Sequence, residues 1–426
     1  MTRSISRTDR FAGRVHLPAD KSVAHRAALF AAIANGSSIL HNFPPSADPQ
    51  STLSCLRQLG VSIETSTDSS VIIHGVGRGG FSAPDAPLDC GNSGTTMRLL
   101  SGVLAGQPFS SELAGDASLS SRPMERIARP LRTMGATISL TDGHAPIRIQ
   151  PCDNLTGIHY KLPVPSAQVK SCVLLAGLWA KGHTIVYETI RSRDHTERML
   201  NLTIRSSTEG RTIHSDSSHI VPHGTFTLPG DFSAAAFILV AASIAGTAPV
   251  HMSGVGLNPS RTGLLTVLRR MGADIQISNR RTSGVEPTGD LSVRRKSLHG
   301  IMVGGDEIPN VIDEIPIIAV AGAFAKGMTI IRDAIELRYK ECDRIRAIVT
   351  NLRALGAEVE EFEDGLAVTG MVPLNGTKVS SYDDHRIAMA MGVAAMGAHG
   401  TTTIEDAQAA SVSFPEFWDT IAALQA

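Results

Sequence analysis

The most constraining feature of this sequence is a weak internal repeat with a period of roughly 70 residues. A glycine followed by a short β-prone segment recurs six times along the chain, at Gly36, Gly106, Gly182, Gly246, Gly327 and Gly400. Before most of these glycines lies an Ala-rich stretch of helical composition, such as AALFAAIANG or SAAAFILVAASIAG. Repetition at a fixed period indicates that one supersecondary unit is used several times.

A second element recurs between these glycines. It is a helical segment ending in Leu or Met, then Gly, then an alternating strand, as in LRQLGVSIE, LRTMGATISL, LRRMGADIQI and LRALGAEVE. Glycine after the last turn readily adopts the left-handed conformation that ends a helix. The alternation after it predicts a half-buried strand. One unit is therefore predicted to run β-α-β-β-α-β, which gives an α/β protein of six units in two domains of three.

The predicted domain boundaries follow from this division. The pair Pro229-Gly230, just before a long predicted helix from Ser233, is the best candidate for a hinge. A second crossing near residues 18–20 would let the first strand join the other domain. We therefore predict a first domain of residues 20–229 and a second domain of residues 1–19 and 230–426. The polar segment NLTIRSSTEGRTIHSDSS lacks the Leu-Gly-Ala pattern and is interpreted as degenerate or flexible.

The composition excludes several classes of protein. Lys and Arg number 39 against 40 Asp and Glu, whereas nucleic-acid and anionic-membrane binders carry a large basic excess. Five scattered cysteines without a CxxC pair suit neither a disulfide framework nor a zinc site, and they fit a reducing cytosol. The most apolar stretch, residues 234–244, is too short to span a bilayer, and the amino terminus has no signal-like apolar run. A soluble cytoplasmic protein is expected.

Cations and hydroxyl groups cluster at seven candidate helix starts, where free N–H groups and the helix dipole favour anions. The segments are DKSVAHR (Lys21, Ser22, Arg26), GNSGTTMR (Asn92, Gly94, Thr95, Arg98), GDASLSSRPM (Arg122), PVPSAQVKS (Ser166, Gln168, Lys170), SRDHTERM (Arg193, His195), ELRYKECDRIR (Lys340, Glu341, Arg344) and DDHR (His385, Arg386). Any single segment could be a solvated helix cap. Seven in a chain of nearly zero net charge favour a convergent site for a multiply anionic substrate.

Two carboxylates stand out against these cations, Asp313 in VIDEIP and Glu341 beside Lys340. A carboxylate among cations can accept a proton, and one beside an apolar wall can donate one. A helix cap is the alternative interpretation of Asp313, and an ion pair with Arg344 is the alternative for Glu341.

Other cofactor signals are weak. GVGRGG at residues 75–80 matches a dinucleotide pattern, but the following FSAPDAP cannot begin a helix. The sequence contains no GxxxxGK[ST] motif and no histidine pair at metal-ligand spacing. We therefore expect no nucleotide, metal or other cofactor.

Taken together, the motifs resemble those of the 3-phosphoshikimate 1-carboxyvinyltransferase (EPSP synthase) family, in its second sequence class. The matching segments run in order from about residue 14 to residue 418, and they include CGNSGTTMRLL, PGDFSAAAF, DEIPIIAV and DDHRIAMAM. The resemblance implies an enolpyruvyl-transferase fold, with two domains each of three βαββαβ units in an inside-out α/β barrel and the active site in the cleft between them. It also implies a monomer without cofactor or metal.

The implied reaction, a step in chorismate and aromatic amino-acid biosynthesis, moves the enolpyruvyl group of phosphoenolpyruvate to the 5-hydroxyl of shikimate 3-phosphate. Phosphate leaves through a tetrahedral ketal. Inhibition by glyphosate, which resembles the donor's anionic shape, is expected.

The resemblance also implies a role for individual residues. Asp313 would accept the hydroxyl proton, Glu341 would protonate the methylene carbon, and Lys21 would contact both substrates. The residues implied for shikimate 3-phosphate are Lys21, Ser22, Arg26, Ser166, Ala167, Gln168, Arg193, Asp313 and Lys340. Those implied for phosphoenolpyruvate are Lys21, Gly94, Arg122, Gln168, Arg344 and Arg386, and Asn92, Thr95, Glu336 and His385 would support them.

Three positions depart from the family pattern. Val412 stands where some members carry Lys, Glu336 where some carry Asn, and Cys342 where a hydroxyl residue is commoner. None of them removes the implied acid or base.

Two alternative functions remain open. A UDP-N-acetylglucosamine enolpyruvyl transferase shares the fold and the donor. It uses a Lys-Asn pair and a loop cysteine, whereas Lys21 here precedes Ser22 and the Arg122 loop has no cysteine. The other alternative is an inactive member that only binds phosphorylated metabolites, against which the presence of Asp313, Lys340 and Glu341 argues.

Overall fold

The computed structural model describes residues 1–8 and 10–426 and is mixed α/β. The helices in this described part are α1 Lys21–Ile33, α2 Ala47–Gln58, α3 Gly94–Leu104, α4 Ala117–Ser120, α5 Glu125–Thr133, α6 Ala167–Gly177, α7 His195–Met199, α8 Phe232–Ala245, α9 Gly263–Arg270, α10 Ile308–Val311, α11 Ile315–Ala323, α12 Arg344–Ala354, α13 His385–Gly397 and α14 Phe417–Gln425. Short 3-10 turns cover Gly305–Glu307, Ile335–Tyr339 and Ala407–Val412.

The strands are short and numerous. They are β1 Arg3–Ser6, β2 Gly13–Val15, β3 Ser37–His41, β4 Ser62–Thr65, β5 Val71–His74, β6 Leu88–Asp89, β7 Ser111–Ala114, β8 Ile138–Thr141, β9 His144–Ile149, β10 His159–Lys161, β11 His183–Glu188, β12 Thr203–Ser207, β13 Gly210–Asp216, β14 Thr225–Thr227, β15 Val250–Gly256, β16 Asp274–Ser283, β17 Glu286–Arg294, β18 Met302–Val303, β19 Met328–Ile331, β20 Glu358–Phe362, β21 Gly365–Thr369, β22 Lys378–Ser380 and β23 Thr401–Glu405.

The chain divides into two compact units. The first unit comprises Ala19–Pro229 and Ser283–Glu286, and the second comprises Met1–Pro18, Gly230–Thr282 and Pro287–Ala426. The short segment Ser283–Glu286, which runs from the last residue of β16 to the first residue of β17, groups with the first unit, and the sequence analysis did not assign it separately.

The first unit contains three four-stranded sheets, with the strand orders β14-β3-β5-β4, β6-β7-β9-β8 and β10-β11-β13-β12. In each sheet the first two strands are parallel and the other neighbours are antiparallel. A parallel pair needs a crossover, here supplied by a helix such as α3 or α6, whereas an antiparallel pair needs only a turn. In the second and third of these sheets the elements therefore follow in the order β-α-β-α-β-β, which differs from the predicted β-α-β-β-α-β in that both strands of the hairpin come after the second helix. In the first sheet, β14 is supplied from the end of the unit.

The prediction of a degenerate or flexible segment at residues 201–218 was wrong. Strands β12 and β13 form a regular antiparallel hairpin there, with Thr203 opposite His214 and Ser207 opposite Gly210. All five residues of β12 are exposed, so this strand does not need the apolar residues by which the other strands were recognised.

The second unit has sheets of order β16-β17-β15-β2, β18-β19-β21-β20 and β1-β23-β22. Strand β2 pairs in parallel with β15, and β1 pairs antiparallel with β23, so both strands that precede residue 18 belong to these sheets. The repeated α/β architecture predicted from the sequence is confirmed in both units.

The central helices of each unit are buried on nearly all sides. Every residue of α1 from Val23 onwards is buried, and so is every residue of α8 except Ile244. A helix that is apolar all round must lie inside the core. Side chains cap the first turns of such helices, with Asp20 accepting from the Val23 N–H at 2.9 Å and Asp384 accepting from the Arg386 N–H at 2.8 Å. The cationic segments DKSVAHR and DDHR therefore stand at the capped N-termini of the core helices α1 and α13.

The described residues contain no helix with the length and apolar character that a membrane crossing requires.

Candidate active site

The first turns of α1 carry Lys21, Ser22 and Arg26 within the first unit. Lys21 Nζ lies 2.9 Å from Asp48 Oδ2, and the Lys21 side chain retains 17% exposure. Arg26 is buried and donates from Nε to Thr196 Oγ1 at 2.8 Å, from Nη2 to Ser171 Oγ at 3.0 Å and from Nη1 to the Ser22 carbonyl at 3.0 Å. All three acceptors are neutral, so these bonds hold the Arg26 guanidinium in place without neutralising its positive charge.

The pKa of Arg26 is lowered to about 10, first by burial and then by the charge of Arg193, while Glu197 and Asp20 act in the opposite direction. Like charges affect each other's pKa only at short range inside a protein. Arg26 and Arg193, which are far apart in the sequence, therefore lie near each other in the first unit.

The N-terminus of α3 forms a second cationic group. Arg98 and Arg122 are both buried, and Arg98 Nη1 donates to Gln168 Oε1 at 2.6 Å. Gln168 in turn donates from Nε2 to Thr95 Oγ1 at 3.0 Å. A Cβ placed on Gly94 would lie 2.8 Å from Arg98 Nη1 and 3.4 Å from Arg122 Nη1. The two guanidinium groups approach the helix N-terminus closely because residue 94 has no side chain.

A short chain of polar contacts holds Arg122. Its Nη2 donates to Asn92 Oδ1 at 2.8 Å, and Asn92 Nδ2 donates to Asp116 Oδ2 at 2.8 Å. Asn92 and Thr95 thus contact residues expected to bind substrate. Arg98 was among the motif cations of the sequence, but it was not assigned to a substrate, and only the structure shows its contact with Gln168.

The N-terminus of α6 presents Ser166, Ala167 and Gln168. Ser166 caps this helix by accepting from the Val169 N–H at 3.4 Å, and all three residues are partly exposed. Lys170, which the sequence grouped with them, differs. Its side chain has 0% exposure and pairs with Glu188 and Glu197, so it cannot meet a substrate directly.

The segment before α7 carries Arg193 and His195. Arg193 is half-buried and lies between two buried residues, Ser192 and Asp194. His195 is buried as well, with Nδ1 2.8 Å from Glu286 Oε1.

In the second unit, three cations surround the carboxylate of Asp313. Its Oδ1 lies 3.3 Å from Arg344 Nη1 and 3.6 Å from Lys340 Nζ, and its Oδ2 lies 3.6 Å from Arg386 Nη2. The N-cap position of α11 is held by Glu314, without a capping hydrogen bond, so the interpretation of Asp313 as a helix cap was wrong. The Asp313 side chain keeps 13% exposure, which leaves it partly accessible.

Arg344 is the most heavily paired cation of this group. Its Nη2 lies 2.5 Å from Glu341 Oε2, its Nε lies 2.7 Å from Asp384 Oδ2, and it also contacts Asp313. Burial opposes its charge, but Asp384, Glu341 and Asp313 outweigh that effect and raise the pKa of Arg344 above its usual value. The ion pair between Glu341 and Arg344, which was one interpretation of Glu341, is therefore present, and Glu341 remains partly exposed.

Arg386 is held by Asp313 and by Ser233, and only Ser233 was not expected as a site residue. Its Nη1 donates to Ser233 Oγ at 3.0 Å and to the Asp313 carbonyl at 3.1 Å. Ser233 in turn donates to Glu314 Oε1 and accepts from Arg261 Nη2. Ser233 and Glu314 stand in motifs that were recognised, whereas Arg261 stands in none.

The remaining expected residues lie in the same unit. Glu336 and Lys340 are half-buried in and just after the 3-10 turn Ile335–Tyr339, and His385 is buried in the first turn of α13. Arg338 secures this turn, because it donates to Asp343 at 2.7 Å and to Glu361 at 3.0 Å. Burial raises the pKa of the Cys342 thiol, with Asp384 adding to the effect. Val412 ends the 3-10 turn Ala407–Val412 and brings no cation.

The expected residues thus form two sets. The first unit brings together Arg26 with Arg193, and Gly94 with Arg122 and Gln168; the second brings together Asp313, Lys340, Glu341, Arg344 and Arg386. Among the described residues, no group of His, Cys, Asp and Glu side chains has the arrangement of a metal site. Such cationic sets suit phosphate and carboxylate groups.

Comparisons with known proteins bear on the whole chain. The family model of EPSP synthase (3-phosphoshikimate 1-carboxyvinyltransferase) matches residues 5–421. A 3-phosphoshikimate 1-carboxyvinyltransferase of Salinibacter ruber is 58% identical over 422 residues, which cover 98% of this chain and 98% of that relative. A second 3-phosphoshikimate 1-carboxyvinyltransferase, of Chloroflexus aurantiacus, is 50% identical over 423 residues, which cover 98% of this chain and 97% of that relative.

Solved structures agree. The EPSP synthase of Acinetobacter baumannii matches with a TM-score of 0.88 and 42% identity, over 99% of this chain and 98% of that one. The enolpyruvyl transferase NikO of Streptomyces tendae matches with a TM-score of 0.80 at 19% identity, over 99% of this chain and 96% of that one, which is a likeness of fold. The predicted enolpyruvyl-transferase fold is confirmed. The chain belongs to the 3-phosphoshikimate 1-carboxyvinyltransferase (EPSP synthase) family, which transfers the enolpyruvyl group of phosphoenolpyruvate to shikimate 3-phosphate.

Proposed function

We propose that Asp313 and Glu341 carry out the proton transfers of this enolpyruvyl transfer, and that cations of both units bind the two phosphorylated substrates. The chain is an enzyme of the shikimate pathway by its family. The observation that carries the assignment is the partly exposed Asp313 carboxylate, which lies among Lys340, Arg344 and Arg386. Glu341 is paired with one of these cations, Arg344. A proton acceptor among cations that also bind phosphate suits a reaction in which a hydroxyl attacks a phosphorylated enol.

Shikimate 3-phosphate is assigned to residues of α1, α6 and the Arg193 segment. Lys21, Ser22, Arg26 and Arg193 would hold its charged groups, because Arg26 and Arg193 lie close enough together for the charge of Arg193 to lower the pKa of Arg26. Ser166, Ala167 and Gln168 would meet its phosphate at the N-terminus of α6, a favourable place for an anion. Lys340 would contact the ring hydroxyls near Asp313.

Phosphoenolpyruvate is assigned to the arginines of both units. Arg122 lies near the N-terminus of α3, where Gly94 leaves room for its guanidinium group. Gln168 connects this region to α6. Arg344 and Arg386 would supply the charges from the second unit, and Lys21 would contact both substrates. Guanidinium groups bind carboxylate and phosphate oxygens through paired hydrogen bonds, which suits a small donor with both groups.

The chemistry follows from these positions. As the 5-hydroxyl oxygen bonds to C2 of phosphoenolpyruvate, its proton passes to Asp313, and the C2–C3 double-bond electrons take a proton from Glu341. The product is a tetrahedral ketal that still carries phosphate. Loss of a methyl proton to Glu341 then re-forms the double bond, and the C2–O bond to phosphate breaks. The leaving phosphate oxygen takes the proton held by Asp313, so that both carboxyl groups return to their starting states. The surrounding cations stabilise the charge that develops on the leaving phosphate.

We further propose that the two sets of residues act as one site between the units, in a monomer located in the cytoplasm. The assignments to phosphoenolpyruvate support a shared site, because they draw on cations of both units. The cytoplasmic location rests on the reducing environment that five free cysteines suit.

A phosphate-release assay tests the catalytic assignments. Wild-type protein should release phosphate only when both substrates are present, whereas an inactive binding protein would release none. Asp313→Asn removes the proton acceptor at almost constant shape, and Glu341→Gln removes the donor. General acid–base catalysis contributes about 10²- to 10⁴-fold, so we expect turnover to fall by about that factor.

The same variants should bind shikimate 3-phosphate within about threefold of wild type, since each keeps its size and shape and exchanges only one carboxylate oxygen for an amide nitrogen. Calorimetric titration measures this affinity. A loss of binding with little loss of turnover would contradict the assigned roles.

A further inference from the structure

Lys170 lies at the centre of a buried charge cluster in the first unit. Its Nζ is 2.7 Å from Glu197 Oε1, 3.0 Å from Glu188 Oε2 and 3.2 Å from Glu188 Oε1, and it donates to the Ser192 carbonyl at 3.4 Å. The side chains of Lys170, Glu188 and Glu197 are all at most 1% exposed. The sequence placed this lysine in a candidate anion-binding segment, but its ammonium group binds the protein's own carboxylates.

Arg211, on β13, completes the cluster. It donates to Glu188 from Nε and to Glu197 Oε1 from Nη2 at 3.3 Å, and its side chain is 11% exposed. Burial alone would raise the pKa of Glu188, but Lys170 and Arg211 outweigh it and lower that pKa. Two cations therefore balance two carboxylates within the cluster (Lys170, Glu188, Glu197 and Arg211), and Arg211 Nη1 also lies 3.9 Å from Asp194 Oδ2.

The cluster grips the chain on both sides of Arg193. Glu188 Oε2 accepts from the Ser192 N–H at 3.3 Å and from the Ser192 hydroxyl at 2.8 Å. The Ser192 carbonyl accepts from Lys170 and from Arg211 Nη2, each at 3.4 Å. All three polar groups of Ser192 are thus bound by the cluster, and Arg193 is the next residue.

The cluster also reaches Arg26. Thr196, next to Glu197 in α7, accepts from Arg26 Nε at 2.8 Å, and its hydroxyl lies 2.7 Å from Ser171 Oγ, on the residue next to Lys170. Both Thr196 and Ser171 contact Arg26 directly. Ser171, which follows Lys170, and Thr196, which precedes Glu197, therefore set the position of the Arg26 guanidinium.

We propose that the buried cluster of Lys170, Glu188, Glu197 and Arg211 positions Arg193 and Arg26 for the recognition of shikimate 3-phosphate. This inference rests on the proposed function of those two arginines. The four cluster residues are positioning residues, because they act through Ser192, Ser171 and Thr196. The cluster selects for the acceptor substrate and leaves the arginines at α3, which are assigned to the donor, unaffected.

Energetics supports a geometric role. Buried ion pairs often contribute no more to stability than well-packed apolar side chains of the same volume, because desolvation offsets their attraction. Their directional bonds can, however, hold a loop in one geometry. A displacement of about 1 Å in a binding group costs up to about 10²-fold in rate.

The test removes one charge of each sign. Lys170→Met with Glu197→Gln keeps the cluster neutral and leaves the Arg211–Glu188 pair in place. We expect KM for shikimate 3-phosphate to rise about 10- to 100-fold, in line with such a displacement. KM for phosphoenolpyruvate should stay within about twofold, and the thermal midpoint within about 5 °C, since the two opposite charges are removed together and neither is left unpaired.

A matched control uses an exposed pair of the same unit, Arg148 and Glu112, whose charged atoms lie 2.7 Å apart. The control Arg148→Met with Glu112→Gln should leave both KM values unchanged. Should the buried double variant fail to fold, Ser192→Ala tests the same link without altering a charge. It removes the bond from Ser192 Oγ to Glu188 and should raise KM for shikimate 3-phosphate about threefold, as the loss of one such bond predicts.

Arg193→Ala, alone and combined with the cluster variant, distinguishes a failure of the proposed function of Arg193 from a failure of the positioning inference. If Arg193→Ala leaves KM for shikimate 3-phosphate unchanged, the proposed function of Arg193 fails. If Arg193→Ala raises it while the cluster variant and Ser192→Ala do not, the positioning inference fails alone. Equal loss for both substrates in the cluster variant would also overturn it. Support requires a selective effect that is smaller in the Arg193→Ala background than in wild type.

Discussion

Gly94 shows how one missing side chain shapes an anion site. A Cβ there would lie 2.8 Å from Arg98 Nη1 and 3.4 Å from Arg122 Nη1, so Gly94→Ala must displace at least one guanidinium group. We expect KM for phosphoenolpyruvate to rise about tenfold, equivalent to about 1.4 kcal/mol, with KM for shikimate 3-phosphate within about twofold. Steady-state kinetics with each substrate varied in turn measures both values.

Gly79→Ala is the control for this change, because a Cβ at Gly79 has nothing within 4 Å. Its kinetics should match wild type. If Gly94→Ala behaves like Gly79→Ala, the arginines at α3 do not bind the donor.

His25 illustrates a cost of placing a histidine beside the cationic site. Burial, then the charges of Lys21 and Arg26, lower the pKa of His25 well below its usual value, and its Nδ1 lies 2.7 Å from Thr52 Oγ1. Below about pH 6.5 the unfolded chain therefore binds a proton here that the folded chain does not. The unfolding free energy falls with falling pH, by up to about 1.4 kcal/mol per pH unit for this group.

His25→Gln should therefore lose less stability than wild type between pH 7 and pH 5. Urea unfolding at pH 7, 6 and 5 measures the difference. The exposed His251, changed to Gln, is the control and should leave the wild-type pH dependence intact. An equal slope for wild type and His25→Gln would contradict the argument.

At the scale of elements, capped core helices present the cationic segments. Ser93 caps α3 by accepting from the Thr96 N–H at 3.1 Å, and its hydroxyl also accepts from Thr96 Oγ1 at 2.8 Å. Ser93→Ala should cost about 1 kcal/mol. For a unit of this size that lowers the thermal midpoint by about 2–4 °C, which calorimetry measures. Ser93→Thr retains the capping hydroxyl and should lose less; equal losses would show that the cap contributes nothing.

Element types were predictable wherever the sequence carried strong local signals. The Leu-Gly-Ala endings predicted helix ends, as at Gly272 after α9, where the glycine has a φ of 94°. The hairpin of β12 and β13 was missed because its exposed residues carry no apolar alternation. The order of strands within one repeat depends on which strands pair in parallel, and that pairing leaves no local signal in the sequence.

Site residues were predictable as a set, but not in their individual environments. Lys170 stands two residues from Gln168, yet one side chain is wholly buried and the other is partly exposed. Glu188 and Glu197, which pair with the buried Lys170, lie on other elements, so the spacing within α6 could not reveal them. Arg261 was missed for the same reason, since its partners Ser233 and Glu314 are distant in sequence.

At the scale of the whole molecule, the chain passes from one unit to the other at residues 18–19 and 229–230, and the segment Ser283–Glu286 groups with the first unit. Within that unit Glu286 binds His195 at 2.8 Å, and both side chains are nearly buried. A four-residue segment that joins another unit has no compositional signature. Only the long-range contact identifies it.

The central claim is that residues of both units recognise the same donor. The most direct test is the KM for phosphoenolpyruvate of Arg122→Met and Arg386→Met, one variant from each unit, in a phosphate-release assay. We expect each to raise KM by about tenfold or more, because each removes a charge-assisted contact to the donor. The exposed Arg148→Met and Arg353→Met, one in each unit, are matched controls that should not. If either Arg122→Met or Arg386→Met matches its control, that unit does not bind the donor and the shared site is contradicted.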